Sequence, residues 1–196
     1  MSRTQKIISA ALITLAVTGV AAWWVVGSKA TVTQSQQVKT ESSRTDNASQ
    51  PAESTSIIIG SPSAKLTVTE YGDFKCPLCN RFFYQTEPPL KKEFIDTGKV
   101  KLEFKPLGVI AQDSADAGAA NYCAADQGKG AEYHDALFRL IGDKHYQKGD
   151  TSVEFKQFFT PVLLKQLGSG IVPDQPTFGA CIDKQKYRQK VVEDTN

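Results

Sequence analysis

Histidine and cysteine are scarce in this chain, and neither sign of charge dominates. The 196 residues include two histidines and four cysteines, which leaves little material for a zinc finger. Lysine and arginine total 23 against 21 aspartates and glutamates, so the net charge is +2. This near balance gives no electrostatic reason to expect a nucleic-acid partner. Hydrophobic residues make up 40% and charged residues 22%, which argues against a wholly disordered or fibrous chain.

Charge is absent altogether from residues 7–26, which form an uninterrupted apolar run. At about 1.5 Å per residue, a helix of this length spans about 30 Å, the thickness of a bilayer core. Two tryptophans lie near its end, where indole rings favour the membrane interface. We therefore predict a transmembrane anchor at 7–26, with residues 1–6 in the cytoplasm. The alternative is a cleaved signal peptide, since residues 28–30 offer a small-x-small site. In both cases the rest of the chain is exported.

The segment that follows the anchor has little that can form a core. Residues 27–56 are dominated by glutamine, serine and threonine, and no aromatic residue occurs between residues 31 and 56. Such a composition cannot bury enough apolar surface to offset the entropy lost on ordering. We predict a flexible linker over 27–56 and a folded domain over 57–196.

Two alternating segments in this domain predict strands. Residues 66–71 (LTVTEY) and 100–104 (VKLEF) alternate with a period of two. Between them lie two predicted helices, separated by Pro88 and Pro89. A strand–helix–strand order predicts two parallel strands with a right-handed crossover.

The second half of the domain is predicted to be helical. Residues 114–127 and 131–142 have helical patterns, and residues 152–168 are expected to form two short helices divided at Thr160-Pro161. A last helix is predicted from about 177 to 192.

The motif Cys76-Pro77-Leu78-Cys79 carries the chemistry. It joins a predicted strand to a predicted helix, and Pro77 suits a first helical position because its missing N–H would be unpaired there. Unpaired N–H groups at a helix N-terminus stabilise a thiolate, which is the nucleophile of thiol–disulfide exchange. We therefore predict that Cys76 attacks and that Cys79, about one turn on, resolves the mixed disulfide.

Other interpretations of this motif remain open. A zinc half-site would need two further ligands at paired spacing, whereas Cys123 and Cys181 are 58 residues apart. An inert structural disulfide is a second alternative. Two unpaired reduced cysteines are disfavoured by export into an oxidising compartment. We predict no metal site, and we expect His134 and His145 to be structural or surface residues.

The sequence EYGDFKCPLC at residues 70–79 resembles the active-site segment of DsbA-like thiol–disulfide oxidoreductases of the thioredoxin superfamily. The similarity continues through residues 81–108, 114–138 and 178–194. It implies an α/β fold, a thioredoxin-like sheet with a helical insertion at about 111–194. It also implies that the redox-active disulfide is the only redox group, with no further cofactor.

The resemblance also assigns roles to residues outside the motif. Glu70 matches a buried carboxylate beneath the disulfide that relays a proton to or from Cys79; the alternative is a partly exposed strand residue. Lys75 is expected to favour the Cys76 thiolate by its charge, or else to be a solvated loop lysine. Cys123 and Cys181 match a structural bridge within the insertion, with two free thiols as the alternative.

One departure from the family pattern concerns the end of the chain. Family members have a cis-proline loop, two further strands and a final helix after the insertion, but only 15 residues follow Cys181 here and none is proline. Pro176 mimics that loop, yet it precedes GACID, which matches the last helix of the insertion. We expect the chain to be C-terminally incomplete, leaving an unpaired sheet edge.

Together these features predict a membrane-tethered, extracytoplasmic oxidoreductase that forms disulfides in exported cysteine-containing proteins. An oxidase must itself be reoxidised, so a membrane quinone-linked partner is expected. A thiol reductase and a non-catalytic binding module with structural disulfides are the alternatives. Leu78 offers no hydrogen bond to the Cys76 thiolate, so we expect a less oxidising centre than one with histidine there.

Overall fold

The structure, a computed structural model, describes residues 55–196. The predicted cytoplasmic end (1–6), the anchor (7–26) and the linker up to residue 54 lie outside these residues. From Thr55 onward, no helix is long and apolar enough to cross a membrane. Near the start of the described residues, the Thr55 hydroxyl donates a hydrogen bond to the Asp126 carboxylate at 2.8 Å.

A three-stranded sheet forms one side of the domain. Its strands are β1 (Ile57–Ile59), β2 (Leu66–Gly72) and β3 (Val100–Pro106), in the order β1-β3-β2. β2 and β3 are parallel, as predicted, and β1 is antiparallel to β3. β1 is not predicted by alternation, because three consecutive isoleucines have no period of two. Within residues 55–196, β2 has β3 as its only neighbouring strand and forms one edge of the sheet.

Two short helices connect β2 to β3. Helix α1 (Pro77–Gln85) begins at Pro77, as the sequence predicts. Helix α2 (Glu87–Leu90) carries both prolines in its first turn and continues as a π-helix over Lys91–Ile95. Gly98 then adopts a φ of 72°, a left-handed conformation that suits glycine, and the chain turns into β3.

The region after β3 is helical, as predicted. It contains α3 (Gln112–Ala125), α4 (Gly130–Lys144), α5 (Pro161–Gly168), α6 (Gln175–Asp183) and α7 (Arg188–Thr195). Two 3₁₀ turns, Tyr146–Lys148 and Ser152–Phe155, lie between α4 and α5. α5 begins at Pro161, and the Thr160 hydroxyl caps it by accepting a hydrogen bond from the Leu163 N–H at 3.2 Å.

The prediction of one last helix from 177 to 192 is wrong. The chain forms two helices, α6 and α7, with a turn at residues 184–187. Gln185 has a φ of 51°, which no α-helix accommodates. The break has no glycine or proline to mark it, so residue patterns alone do not predict it. Pro176 lies in the first turn of α6, and this position agrees with its assignment to the insertion.

The main core lies between the sheet and the helices. Its largest fully buried members are aromatic: Phe74, Phe104, Tyr122, Tyr133, Phe138, Phe159 and Phe178. The rings of Phe74 and Phe138 lie 4.7 Å apart between centroids, and those of Phe74 and Phe104 lie 5.2 Å apart. Phe74 belongs to the segment that joins β2 to α1, so this packing fixes the position of the Cys-Pro-Leu-Cys motif on the core.

Candidate active site

Cys76 is the N-cap residue of α1. Its backbone is extended (φ −82°, ψ 119°), and its Sγ accepts a hydrogen bond from the Cys79 N–H at 3.4 Å. Thus the sulfur takes the place of the side-chain oxygen that usually caps a helix. A sulfur in this position faces the unpaired N–H groups and the partial positive charge of the helix N-terminus.

Cys79 lies one turn into α1 and is in the free thiol form together with Cys76. Burial is the main reason that the pKa of Cys79 is raised to about 12, and the Cys76 sulfur and the Glu70 carboxylate contribute to this rise by their charge. Cys79 therefore stays protonated at neutral pH. This contrast with the capping position of Cys76 supports different roles for the two sulfurs.

Asp73 holds the loop beside the motif. Its side chain is buried, and one carboxylate oxygen accepts a hydrogen bond from the Lys75 N–H at 2.7 Å. The other oxygen accepts hydrogen bonds from Val109 and Ile110, both at 2.9 Å. One carboxylate thus ties the segment before Cys76 to the loop after β3. Asp73 is a site residue that was not predicted from the sequence, although an aspartate whose side chain can bond to the backbone two residues on is a known signal of such a turn.

The structure places Lys75 in the interior. Its side chain is fully buried, and the ammonium donates hydrogen bonds to Asp113 at 2.8 Å and to the Lys156 carbonyl at 2.7 Å. The alternative of a solvated loop lysine is therefore wrong. The side chain turns toward α3 and the 152–159 segment, and the Asp113 carboxylate offsets the charge that was expected to act on Cys76.

Asp113 is the centre of this contact. Its second carboxylate oxygen accepts hydrogen bonds from the Phe158 N–H at 2.7 Å and the Phe159 N–H at 3.0 Å. Burial alone would raise the pKa of Asp113, but the hydrogen bonds from Lys75 and the two backbone groups outweigh it and lower that pKa. Tyr146 adds a further link, since its hydroxyl donates to the Lys75 carbonyl at 2.6 Å. The insertion is thereby joined to the residue next to Cys76.

Glu70 lies on β2, and its Oε2 atom is buried. Burial raises the pKa of this carboxyl to about 7. The Glu70 charge reaches Cys79, so the two groups are close enough to influence each other. The predicted proton relay between them stays a prediction.

The second pair of cysteines lies away from the motif. Cys123 in α3 and Cys181 in α6 are joined by a disulfide, with their Cα atoms 5.9 Å apart. The bridge is largely buried within the insertion. Pro77, the remaining predicted site residue, starts α1 and leaves Cys76 as the cap.

Apolar side chains are exposed around the motif. Leu78 between the two cysteines is 63% exposed, and Val109 in the loop held by Asp73 is 58% exposed. Ile110 and Phe155 line a groove of about 510 Å³ whose floor includes Asp113. Phe155 is 88% exposed. Exposed apolar side chains of this kind can form a docking surface for another polypeptide.

A family model described as thioredoxin matches residues 52–196. Among curated proteins, the probable disulfide bond formation protein D of Bacillus anthracis is 33% identical over 150 residues, which span 74% of this chain and 64% of that protein. Disulfide bond formation protein D of Bacillus subtilis is 29% identical over 161 residues, which span 81% of this chain and 68% of that protein. The chain thus spans about two thirds of the length of these curated relatives.

Solved structures show the same likeness. The crystal structure of oxidised BdbD from Bacillus subtilis has a TM-score of 0.59 at 27% identity, covering 74% of this chain and 75% of that one. The crystal structure of α-DsbA1 from Wolbachia pipientis has a TM-score of 0.53 at 25% identity, covering 71% of this chain and 65% of that one. The fold is therefore thioredoxin-like with the helical content of DsbA-type proteins.

Proposed function

The chain belongs to the thioredoxin family, and from this membership and the geometry of Cys76 and Cys79 we propose that it is a thiol–disulfide oxidoreductase that forms disulfides in exported proteins. The observation that carries the proposal is the capping hydrogen bond from the Cys79 N–H to the Cys76 Sγ. A structural disulfide needs no such placement at a helix N-terminus. The relatives named for disulfide bond formation support the same direction of reaction.

The proposed reaction begins with the Cys76–Cys79 disulfide and a substrate dithiol. A substrate thiolate attacks the Cys76 Sγ, the Cys76–Cys79 bond breaks, and Cys79 leaves as a thiolate that takes up a proton. The second substrate thiolate then attacks the mixed disulfide and releases Cys76 as a thiolate. The substrate loses two electrons and the enzyme gains them. Stabilisation of the Cys76 thiolate by the helix N-terminus favours this last step, because a stable thiolate is a good leaving group.

The redox-active disulfide is the only redox group that this proposal requires. Reoxidation of the Cys76–Cys79 dithiol requires an electron acceptor, and we propose a membrane protein linked to quinone for this step.

An apolar run at residues 7–26 supports a membrane tether that holds the domain on the extracytoplasmic side. Carbonate-washed membranes should retain the full-length chain, whereas a soluble mature form that begins near Thr31 would contradict the tether.

The test of the activity is the oxidative refolding of reduced ribonuclease A by the full-length chain in detergent micelles. The oxidised wild-type chain should form disulfides in this substrate, and Cys76→Ser should abolish the reaction. The matched control is the double variant Cys123→Ser/Cys181→Ser, which removes two other cysteines and should still oxidise the substrate at temperatures where it remains folded. Equal loss in the two variants, with both shown to be folded, would support a non-catalytic module instead.

A further inference from the structure

Three polar side chains from three different elements bring buried ligand atoms together next to the sheet. Glu70 lies on β2, Glu87 starts α2, and His134 lies in the middle of α4. One carboxylate oxygen from each glutamate and one ring nitrogen of the histidine lie within 4.8 Å of one another. The three residues are 17 and 47 positions apart along the chain, so the fold alone brings them together.

Each of the three side chains has a buried atom that is left without a partner. Among residues 55–196, no hydrogen bond reaches Glu70 Oε2, Glu87 Oε2 or His134 Nε2. Glu87 is 3% exposed and His134 is fully buried, so bulk water does not replace the missing partners. An unsatisfied buried polar atom costs about 1–3 kcal/mol, and three of them in one place call for a common partner.

The hydrogen bond of the second His134 ring nitrogen, Nδ1, shows what kind of partner the unpaired Nε2 atom can bind. His134 Nδ1 lies 3.0 Å from the Asp135 carboxylate, which can only accept a hydrogen bond when ionised. Because Nδ1 then carries the proton in the neutral ring, Nε2 presents a lone pair. Once the Glu70 and Glu87 carboxyls have lost their protons, the cluster offers acceptors from all three residues. A carboxylate behind a histidine is also the usual arrangement around a metal-ligating imidazole.

The surroundings hold the imidazole in place. The His134 ring makes edge-to-face contacts with Phe104 and Phe138, at centroid distances of 4.5 and 5.0 Å. Phe74 and Phe83 pack at 6.0 and 5.9 Å. Burial raises the pKa of Glu87 to about 8, although the charges of Lys91 and Arg139 act in the opposite direction. Neither cation satisfies the buried Glu87 oxygen. An apolar shell around a small polar cluster limits solvent access and fixes ligand orientation.

We propose that Glu70, Glu87 and His134 bind one divalent transition-metal cation of the zinc type. Two carboxylates balance the charge of such an ion, and carboxylate oxygen with imidazole nitrogen is a donor set that zinc accepts. Tetrahedral ligands at about 2.0–2.2 Å lie about 3.4 Å apart, so the side chains need to move by about an ångström to close on the ion. Neither redox cysteine belongs to this cluster, although Glu70 also acts on Cys79 through its charge. The sequence-based expectation of a structural or surface role for His134 does not include this site.

The test uses the full-length chain in detergent micelles, stripped of metal and carrying Cys76→Ser/Cys79→Ser so that no free thiol competes for zinc. Titration with zinc chloride should show one ion bound per chain. Glu87→Gln should weaken binding by at least about 100-fold, and Asp135→Asn, which removes the partner of the ligating ring, by about 10–100-fold. Glu93→Gln, an exposed glutamate on the neighbouring π-helix, is the matched control and should bind as before.

A second measurement needs no change to the proposed ligands. The chain has only two histidines, so nitrogen NMR separates His134 from His145. Zinc should shift the Nε2 signal of His134 and leave the ring of His145 unchanged. Absence of stoichiometric binding, unchanged affinity in Glu87→Gln, or a shift confined to His145 would overturn the proposal. None of these outcomes depends on the oxidoreductase activity.

Discussion

The ammonium of Lys75 and the carboxylate of Asp113 form a buried ion pair, with 2.8 Å between Nζ and Oδ1. Lys75 precedes the capping cysteine, and Asp113 lies in the first turn of α3. The pair therefore fastens the redox motif to the helical insertion. Additional hydrogen bonds to Lys156, Phe158 and Phe159 satisfy both charged groups, as a buried pair requires.

Removing one partner of this pair should destabilise the domain strongly. Lys75→Met leaves the Asp113 charge buried without its cation, and such a loss costs about 3–5 kcal/mol. Lys165→Met provides the matched control, because Lys165 forms an exposed pair with Asp183 at 2.7 Å and exposed pairs contribute about 0–1 kcal/mol. Urea unfolding measures the free energy of unfolding of both variants. Similar free energies of unfolding for the two variants would show that the buried pair does not fasten the motif.

The same pair predicts how stability depends on acid. The pKa of Asp113 is lowered below its ordinary value of 3.8 in the folded state, so the folded protein binds that proton less readily than the unfolded chain does. The stabilisation from Asp113 is therefore complete above the unfolded pKa and is lost as the pH falls through the folded one. Carbon NMR of the Asp113 carboxyl follows its titration directly. A midpoint at or above pH 3.8 would contradict the assignment.

The residue between the two cysteines should set the oxidising strength of the centre. Leu78 is 63% exposed and its aliphatic side chain gives no hydrogen bond, so Leu78→His adds a donor beside the Cys76 thiolate without filling buried space. A hydrogen bond to a charged group contributes about 1.5–3 kcal/mol, which corresponds to about 30–60 mV for a two-electron couple. The reduction potential, measured against glutathione, should rise by about this amount. Leu78→Met is the control, and an equal potential in the two variants would refute the prediction.

The bridge between Cys123 and Cys181 should stabilise the insertion without taking part in exchange. It closes a loop of 58 residues, for which chain entropy predicts about 4 kcal/mol. Cys123→Ala/Cys181→Ala should therefore lower the free energy of unfolding by up to this amount, while the reduction potential of the Cys76–Cys79 pair stays the same. A changed potential in the folded double variant would mean that the two pairs are coupled.

Local patterns predict the parts of the fold that local physics controls. The period of two in residues 66–71 and 100–104 predicts the parallel strands, and the proline after Cys76 predicts where α1 begins. The break at Gln185 is not predictable in this way, because it depends on how α6 and α7 pack. β1 is missed for a similar reason, since its three isoleucines form a strand only by pairing with β3.

In the candidate active site, too, some features are predictable from local sequence patterns and others depend on long-range contacts. The spacing of Cys76 and Cys79 is a local signal and predicts the redox pair. Long-range contacts decide the surroundings: Asp113 meets Lys75 across 38 residues, and His134 approaches Glu70 across 64 positions of sequence. No local pattern distinguishes these buried charges from solvated ones. For this reason Lys75 has a different place from the one expected, and Asp73 and Asp113 are recognised only in the structure.

Trapping of a mixed disulfide tests the central claim most directly. The full-length Cys79→Ala variant, which lacks the resolving thiol, should be incubated in detergent with a peptide that carries one activated disulfide. Mass spectrometry of the digested product should find the peptide attached to Cys76. Cys76→Ala should show almost no adduct at Cys79, because the half-buried Cys79 thiol has a pKa of about 12. Adducts of equal yield at both cysteines in the folded variants would contradict the division of roles and favour a structural disulfide.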